Sequence, residues 1–334
     1  MALLDILSED EKEKLARTSL PSWMDPMLAK LTHSPFSDSG WIYERKLDGE
    51  RCLAFKEDGE VRLLSRNRKV INVSYPELVS ALENQERDGL ILDGEIVAFD
   101  GDVTSFSKLQ QRMHVSSSEE VPRDIPVYYY LFDILYAENH DLTEIDLRGR
   151  KRLLKQAIEY EDPLRYTVHR NREGRSFLEE ACERGWEGLI AKKADSPYVH
   201  SRSSSWLKFK CVNQQEFVIG GYTDPEGERI GFGALLIGYY DHDSLRYAGK
   251  VGTGYDESTL RDLSERLKKM ERDDPPFDLG DPPKSAHWVE PELVCEVGFT
   301  EWTKDDRLRH PRFLGLRRDK SPKKVVKEEP VDRS

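Results

Sequence analysis

Cysteine is scarce in this chain. The four present, Cys52, Cys182, Cys211 and Cys295, lie far apart with no C-x-x-C spacing. That leaves a zinc knuckle or a disulfide framework without support, and the four are read as reduced, mostly buried thiols. Long apolar runs are missing too: none approaches the roughly 18 residues a membrane helix needs. The N-terminus M-A-L-L-D-I-L-S-E-D lacks the basic-then-apolar order of a secretion signal, so a cytoplasmic chain with no membrane attachment is expected. There is no excess of positive charge. A formal net charge of −12 argues against long-range attraction to nucleic acid, so any such binding has to come from local basic patches. Nor is there a G-x-x-x-x-G-K-[ST] phosphate loop anywhere in the chain, which removes the commonest nucleotide-binding device.

What is there is enough for two domains: 334 residues, 37% apolar and 34% charged. Residues 1–20 read as a short amphipathic helix and linker. From 21 to 212, strands such as V-R-L-L-S, L-I-L-D-G-E-I-V-A-F and V-Y-Y-Y-L-F-D-I-L-Y alternate with the helical spacings of L-R-G-R-K-R-L-L-K-Q-A-I and R-S-F-L-E-E-A-C-E-R. That is a mixed α+β domain. From 213 to 320 the texture changes to short strands with one helix, over 256–272, inserted among them, the pattern of a small five-stranded barrel of the oligonucleotide-binding type. One basic stretch, 304–324, stands out in it, and suggests a positioned phosphate contact. Residues 321–334 read as a flexible, solvated tail.

The chemistry is concentrated in E-R-K-L-D-G-E-R, residues 44–51. A lysine amine has a pKa near ~10.4 and is a poor nucleophile until cationic neighbours or desolvation lower it. Arg45 and Arg51 are placed to supply the first effect on Lys46, whose target would be a phosphate or a carbonyl. Taken alone, K-x-D-G is more often a surface turn. In W-L-K-F-K, period-two alternation sends Lys208 and Lys210 to one face and Leu207 and Phe209 to the other, and two lysines on one face want an anion between them. Asp93 and Glu95 share a face of an otherwise apolar run, where carboxylates need a metal, a ribose hydroxyl or an arginine. Glu187 and Lys192 bracket another apolar strand. Phe132 on its sheet is as an isolated aromatic more often core than a stacking platform.

Taken in order, these segments resemble the nucleotidyl-transfer motifs of the ATP-dependent DNA ligases, a superfamily shared with RNA ligases and messenger-RNA capping enzymes. The resemblance runs from about residue 25 to residue 320. Phrases such as F-S-K-L-Q-Q-R-M, V-G-F-T-E-W-T and L-R-H-P-R-F-L-G-L-R look most like the ligase domain of the bacterial end-joining enzyme ligase D. It implies a nucleotidyltransferase (ATP-grasp-like ligase) domain of antiparallel sheets and helices followed by a C-terminal OB-fold β-barrel. It further implies that Lys46 attacks the α-phosphate of ATP to form a lysyl-adenylate. Glu44 would recognise the adenine amino group, Arg51 and Arg66 would hold ribose and phosphate, and Glu95 would meet the ribose hydroxyl and share a metal ion with Glu187. By the same resemblance Phe132 would stack on the base, Lys208 and Lys210 would touch the α-phosphate, and Arg202 would contact the nucleotide. Arg318 and Lys320, around Asp319, would orient the departing pyrophosphate. Mg²⁺, with Mn²⁺ as an alternative, is the implied ion.

The implied substrate is nicked duplex DNA, and the nearest rival is an RNA ligase or a capping-type nucleotidyltransferase with the same lysine chemistry. A monomer is expected, and a Ku-like end-binding protein or polymerase and phosphoesterase partners would be separate chains. A non-catalytic nucleic-acid-binding protein is the reading that intact Lys46, Glu95, Glu187 and Lys208 oppose.

Overall fold

The computed structural model describes residues 2–331 apart from 114–116, 118–120, 226 and 228. The chain divides into two compact units: residues up to Cys211, together with Pro330 and Val331, and residues Val212–Glu329.

The first unit is built on two sheets. In the larger, strands Val127–Ala137, Leu90–Asp100, Glu50–Glu57 and Glu60–Ser65 lie side by side and antiparallel. The last two are joined by Asp58-Gly59, both at positive φ (53° and 79°), the two-residue turn whose twist matches that of the strands it joins. One face of this sheet carries Cys52, Ala54, Leu92, Ile96, Tyr129 and Leu131 into the main core, all nearly inaccessible to water. The smaller sheet runs in the order His169–Asn171, Trp41–Arg45, Gly188–Lys193, Arg202–Lys210, Leu28–Leu31. Helices Leu147–Ala157 and Gly174–Glu183 form where leucines and alanines recur at helical spacing.

In the second unit, strands Ser244–Val251, Leu235–Asp241 and Asn213–Tyr222 make an antiparallel ladder, and Val294–Phe299 bridges Asn213–Tyr222 to Arg312–Leu316. This is the expected oligonucleotide-binding-like arrangement with one helix inserted. That helix is shorter than its periodicity predicts. It runs Glu257–Lys268, capped by Asp256 on the Thr259 N–H, and Glu271–Arg272 is a strand paired with His287–Val289.

Three expectations are corrected. Cys182 and Cys211 are not free thiols but a disulfide, with Cα atoms 5.2 Å apart; their separation of 29 residues hides a contact that exists only once the smaller sheet has formed. Cys52 and Cys295 are buried thiols as expected. The segment after Lys320, though largely exposed or half-buried, is held at several points. Val325 is 1% exposed in the second unit's core, Gln215 brackets the chain through Val326 O and Glu328 N, and Val331 N donates to Leu31 O; residues 332–334 lie outside the described residues. Residues 2–20 carry only a 3-10 turn (Leu3–Ile6), a one-turn helix (Glu9–Lys12) and a two-residue strand, and Leu3 and Leu7 are buried in the main core. Among the described residues no helix is long and apolar enough to cross a membrane.

The disulfide closes a loop of chain that would otherwise be free in the unfolded state. Cys182→Ser is therefore expected to lower stability by roughly 2–4 kcal/mol, read as a fall in the urea midpoint. A variant as stable as the oxidised parent would contradict this.

Candidate active site

The smaller sheet sorts its side chains by alternation. Cross-strand partners Glu44, Ile190 and Lys208 lie in one row, with Ile42, Lys192 and Trp206 in the next, all on one face. The opposite face packs Tyr43, Leu189, Ala191, Leu207 and Phe209 with Phe36 and Phe177 as an apolar cluster. The sheet is thus anchored by one face and leaves the other to polar work, as the alternation in W-L-K-F-K predicts.

Lys46 follows the strand Trp41–Arg45 directly. Its N–H donates to Gly188 O (2.9 Å), and its Nζ forms an ion pair with Glu187 Oε1. Gly188 has φ +143°, and a Cβ there would run into the Phe209 carbonyl oxygen. Only glycine lets the chain turn at this point and bring Glu187 beneath the lysine. The Glu187 backbone is pinned as well, its carbonyl accepting from Cys211 N (3.1 Å). The second oxygen, Glu187 Oε2, is buried and has no hydrogen-bond partner among the described residues. Gly49 in K-L-D-G meets a similar constraint, since a Cβ would strike Ile96 O and crowd Glu95.

The expected cationic crowding of Lys46 is not what forms. Alternation puts Arg45 on the other face, where its guanidinium lies 4.2 Å from the Trp186 ring centroid and Nη2 donates to Asp102 O (3.2 Å). Arg51 makes a two-pronged pair with Asp93 (2.5 and 2.6 Å). Burial alone would pull the Arg51 guanidinium down, but Asp93 raises it further than burial lowers it. Asp93 also accepts from Tyr198 OH (2.6 Å). The group that reaches the Lys46 amine is a carboxylate.

Glu44 is the most heavily engaged acid. Only 2% exposed, it takes Lys151 Nζ on one oxygen and Lys192 Nζ on the other, each at 2.6 Å. Burial would raise its carboxyl, yet the two ammonium groups hold it below the usual glutamate range. Burial, with help from Lys151, lowers the Lys192 ammonium against the opposing pull of Glu44. Lys192 lies 4.2 Å from the Phe132 centroid and 4.0 Å from that of Trp206, and Arg51 is 4.5 Å from Phe132. Phe132 is therefore a nearly buried ring flanked by cations.

The remaining expected residues fall as follows. Glu95 is half-buried, in register with Arg51. Lys208 and Lys210 are half-buried on the strand beside Glu187, with Lys210 opposite Gly188. Arg66 sits in the turn after Glu60–Ser65. Arg202 is exposed at the start of its strand, with Nη1 donating to Ala29 O (2.7 Å). Arg318 and Lys320 belong to the second unit. Burial and nearby Arg266 lower Arg318, and Lys320 pairs with Glu216 at 2.9 Å. Asp93 and Lys192 stand out in the sequence as charges in apolar strands but without an expected site role, and Lys151, Tyr198 and Trp206 do not stand out at all. Lys151 carries a usable signal: it interrupts the apolar stripe Leu147, Leu154 of its helix, where a cation needs a buried acid.

The arrangement brings together a lysine held against a carboxylate, a spare carboxylate oxygen and further lysines alongside, a set that can take an anion. Fold and site together define a two-unit protein with a lysine–carboxylate pair on one sheet of its first unit. Residues 26–210 match the ATP dependent DNA ligase domain and residues 228–320 the ATP dependent DNA ligase C terminal region. The chain belongs to the ATP-dependent DNA ligase family. It is 38% identical over 324 residues, 94% of its length, to the multifunctional non-homologous end joining protein LigD of Pseudomonas aeruginosa, covering 38% of that protein. It is 39% identical over 314 residues, 91% of its length, to the Mycobacterium tuberculosis (H37Rv) LigD, covering 40% of it. The chain thus spans about two fifths of these relatives. Among solved structures, a mycobacterial DNA ligase D complexed with ATP and MES shares 36% identity over 91% of this chain and 98% of that one, with a TM-score of 0.65. The ligase domain of M. tuberculosis LigD matches at 36% identity and the same coverage, with a TM-score of 0.50.

Removing the acid from between two buried cations leaves both unpaired. Glu44→Ala is expected to cost roughly 3–5 kcal/mol of folding stability, measured by denaturant unfolding at neutral pH. A loss under about 1 kcal/mol, the scale of an exposed pair, would mean the triad is not buried as described.

Proposed function

We propose that this chain seals nicks bearing a 5′-phosphate and a 3′-hydroxyl in duplex DNA, as the ligase component of end joining. The observation that carries the reading is the Lys46 amine held on Glu187 Oε1, with Glu187 Oε2 lacking a hydrogen-bond partner among the described residues. In the first step the Lys46 Nζ loses its proton and bonds to the α-phosphorus of ATP, while the α–β anhydride bond breaks and pyrophosphate leaves. The AMP then passes to the 5′-phosphate of the nick, freeing Lys46. Finally the 3′-hydroxyl displaces AMP and closes the phosphodiester.

The chain's own residues bind and orient. Lys208 and Lys210 offer charge to the α-phosphate, Arg66, Arg202 and Arg51 to ribose and phosphate, and Glu95 accepts from a ribose hydroxyl. Phe132 and Ile190 offer apolar surface to the base. Each oxygen of Glu44 keeps a lone pair beyond its ammonium partner, so it can still accept from the adenine amino group. Glu187 Oε2 and Glu95 fit Mg²⁺ or Mn²⁺, because such ions keep most of their shell as water and phosphate oxygen and need only one or two carboxylates. When bound, the ion supplies positive charge to the reacting phosphate. In the second unit we assign a closed OB barrel, with Arg318 and Lys320 orienting pyrophosphate.

The solved relative complexed with ATP supports the nucleotide, and the end-joining names of the curated relatives support the pathway. A Ku-like end-binding protein is the partner this reading calls for.

Labelled ATP with Mg²⁺ should leave label on Lys46, and the labelled protein should seal nicked DNA in preference to nicked RNA duplex. Lys46→Ala should abolish both. Labelling by GTP instead would favour the capping-type alternative and defeat the proposal. For Arg318→Ala, lysyl-adenylate formation should fall at least about tenfold, ~1.4 kcal/mol of barrier, with little effect on closing a nick already adenylated. Equal losses in the two assays would remove its pyrophosphate role.

A further inference from the structure

Helix Leu147–Ala157 carries five cations, Arg148, Arg150, Lys151, Arg152 and Lys155, and no acid within its span. Two are consumed inside the protein, Arg150 by Asp133 at 2.7 Å and Lys151 by Glu44. Arg152 is exposed and shared with Glu11 at 2.7 Å. Among the described residues Arg148 bonds only neutral oxygens, those of Asn171 (3.0 Å) and Ser39 (3.4 Å). Lys155 is exposed, with no partner among the described residues. Positions 148, 152 and 155 follow i, i+4, i+7 and so share one helical face. With His169 and Val168 from the adjoining strand region they line a cavity of about 420 Å³. His169 Nδ1 is buried there without a hydrogen-bond partner, and Val168 is 74% exposed. Burial and the nearby Lys151 keep the imidazole below its ordinary pKa, so at neutral pH it offers one N–H rather than a charge.

Cations at the first turn of a helix oppose its dipole, and a chain of net charge −12 has acid to spare for them; leaving Arg148 and Lys155 without a carboxylate calls for an outside anion. Their spacing along the axis is about 10 Å at 1.5 Å per residue, the rise of about three phosphate steps on one strand of B-DNA. An exposed valine between the cations suits a sugar face, and no carboxamide is aimed into the cavity to read a base edge.

We propose that this groove docks the sugar–phosphate backbone of the DNA substrate, with Arg148 and Lys155 on phosphates about three steps apart on one strand and Arg152 on a phosphate between them. The proposal rests on the reading of the chain as a DNA-sealing enzyme. Contacts of this kind set position and affinity without sequence preference.

The test measures binding of a fluorescent nicked duplex against salt for the parent, Lys155→Gln, and Arg148→Gln combined with Lys155→Gln. Each lost phosphate contact should flatten the log–log salt dependence by about 0.9, so the double variant should lose about 1.8. Labelling of Lys46 by ATP without DNA should match the parent, which also shows that the variants fold, and Lys155→Arg should restore the slope. An unchanged slope in the double variant overturns the proposal. So does competition by an acidic peptide that leaves the DNA slope untouched, which would assign the groove to a protein partner. A parent that labels with ATP yet shows no salt-dependent binding to DNA would defeat the broader reading, and this one with it.

Discussion

A carboxylate with almost no access to water, Glu44, is held between two ammonium groups, and three elements depend on that arrangement. Lys151 brings helix Leu147–Ala157 onto the smaller sheet, Lys192 ties the neighbouring strand to the same acid, and Glu44 itself fixes the strand that ends at Lys46. Two charges on opposite sides of one acid leave a net positive charge in a low-dielectric place, which is costly without an anion nearby. The same buried charge lies beside the rings of Phe132 and Trp206.

Lys46 is placed by backbone more than by charge. Gly188 alone allows the turn that carries Glu187 under Lys46, and the Lys46 N–H on Gly188 O closes that turn. The disulfide between Cys182 and Cys211 and the bond from Cys211 N to Glu187 O hold the other side. An ammonium on a flexible four-carbon stem is poorly positioned by electrostatics alone; fixing the main chain on both sides of its partner restricts where the amine can reach. Arg45, which the sequence places beside the lysine, works elsewhere, stacking on Trp186 immediately before Glu187.

Period-two alternation made the smaller sheet legible: Lys208 opposite Phe209 in orientation, and Glu44 opposite Tyr43, follow from residue order alone. The ordered motifs carried the family and the two-unit plan. Long-range pairing was not legible. Nothing local in Cys182 or Cys211 marks a partner 29 residues away, and the anchoring of Val325 in the second core cannot be read from a segment rich in lysine and glutamate. Arg45 was misjudged because neighbours in sequence point to opposite faces of a strand, so proximity along the chain said the reverse of proximity in space. Asp93 was legible as a buried acid, but its choice of Arg51 over a metal ion needed the register between two strands.

The distribution of basic charge makes the same point about nucleic acid. The segment 304–324 reads as the chain's basic patch, yet Arg309 pairs with Glu301, Arg317 with Glu296 and Asp319, and Lys320 with Glu216. Three of its nine cations are thus spent holding the second unit together. The helix at 147–157 draws no notice as a patch because its five cations are spread around a short amphipathic helix, two of them inward. Paired charges contribute little to counterion release, whereas cations lacking an internal acid contribute nearly a full unit each. The footprint an acidic chain can offer a polyanion is therefore set by which cations the fold leaves unneutralised, and a count of lysine and arginine along the chain does not give it.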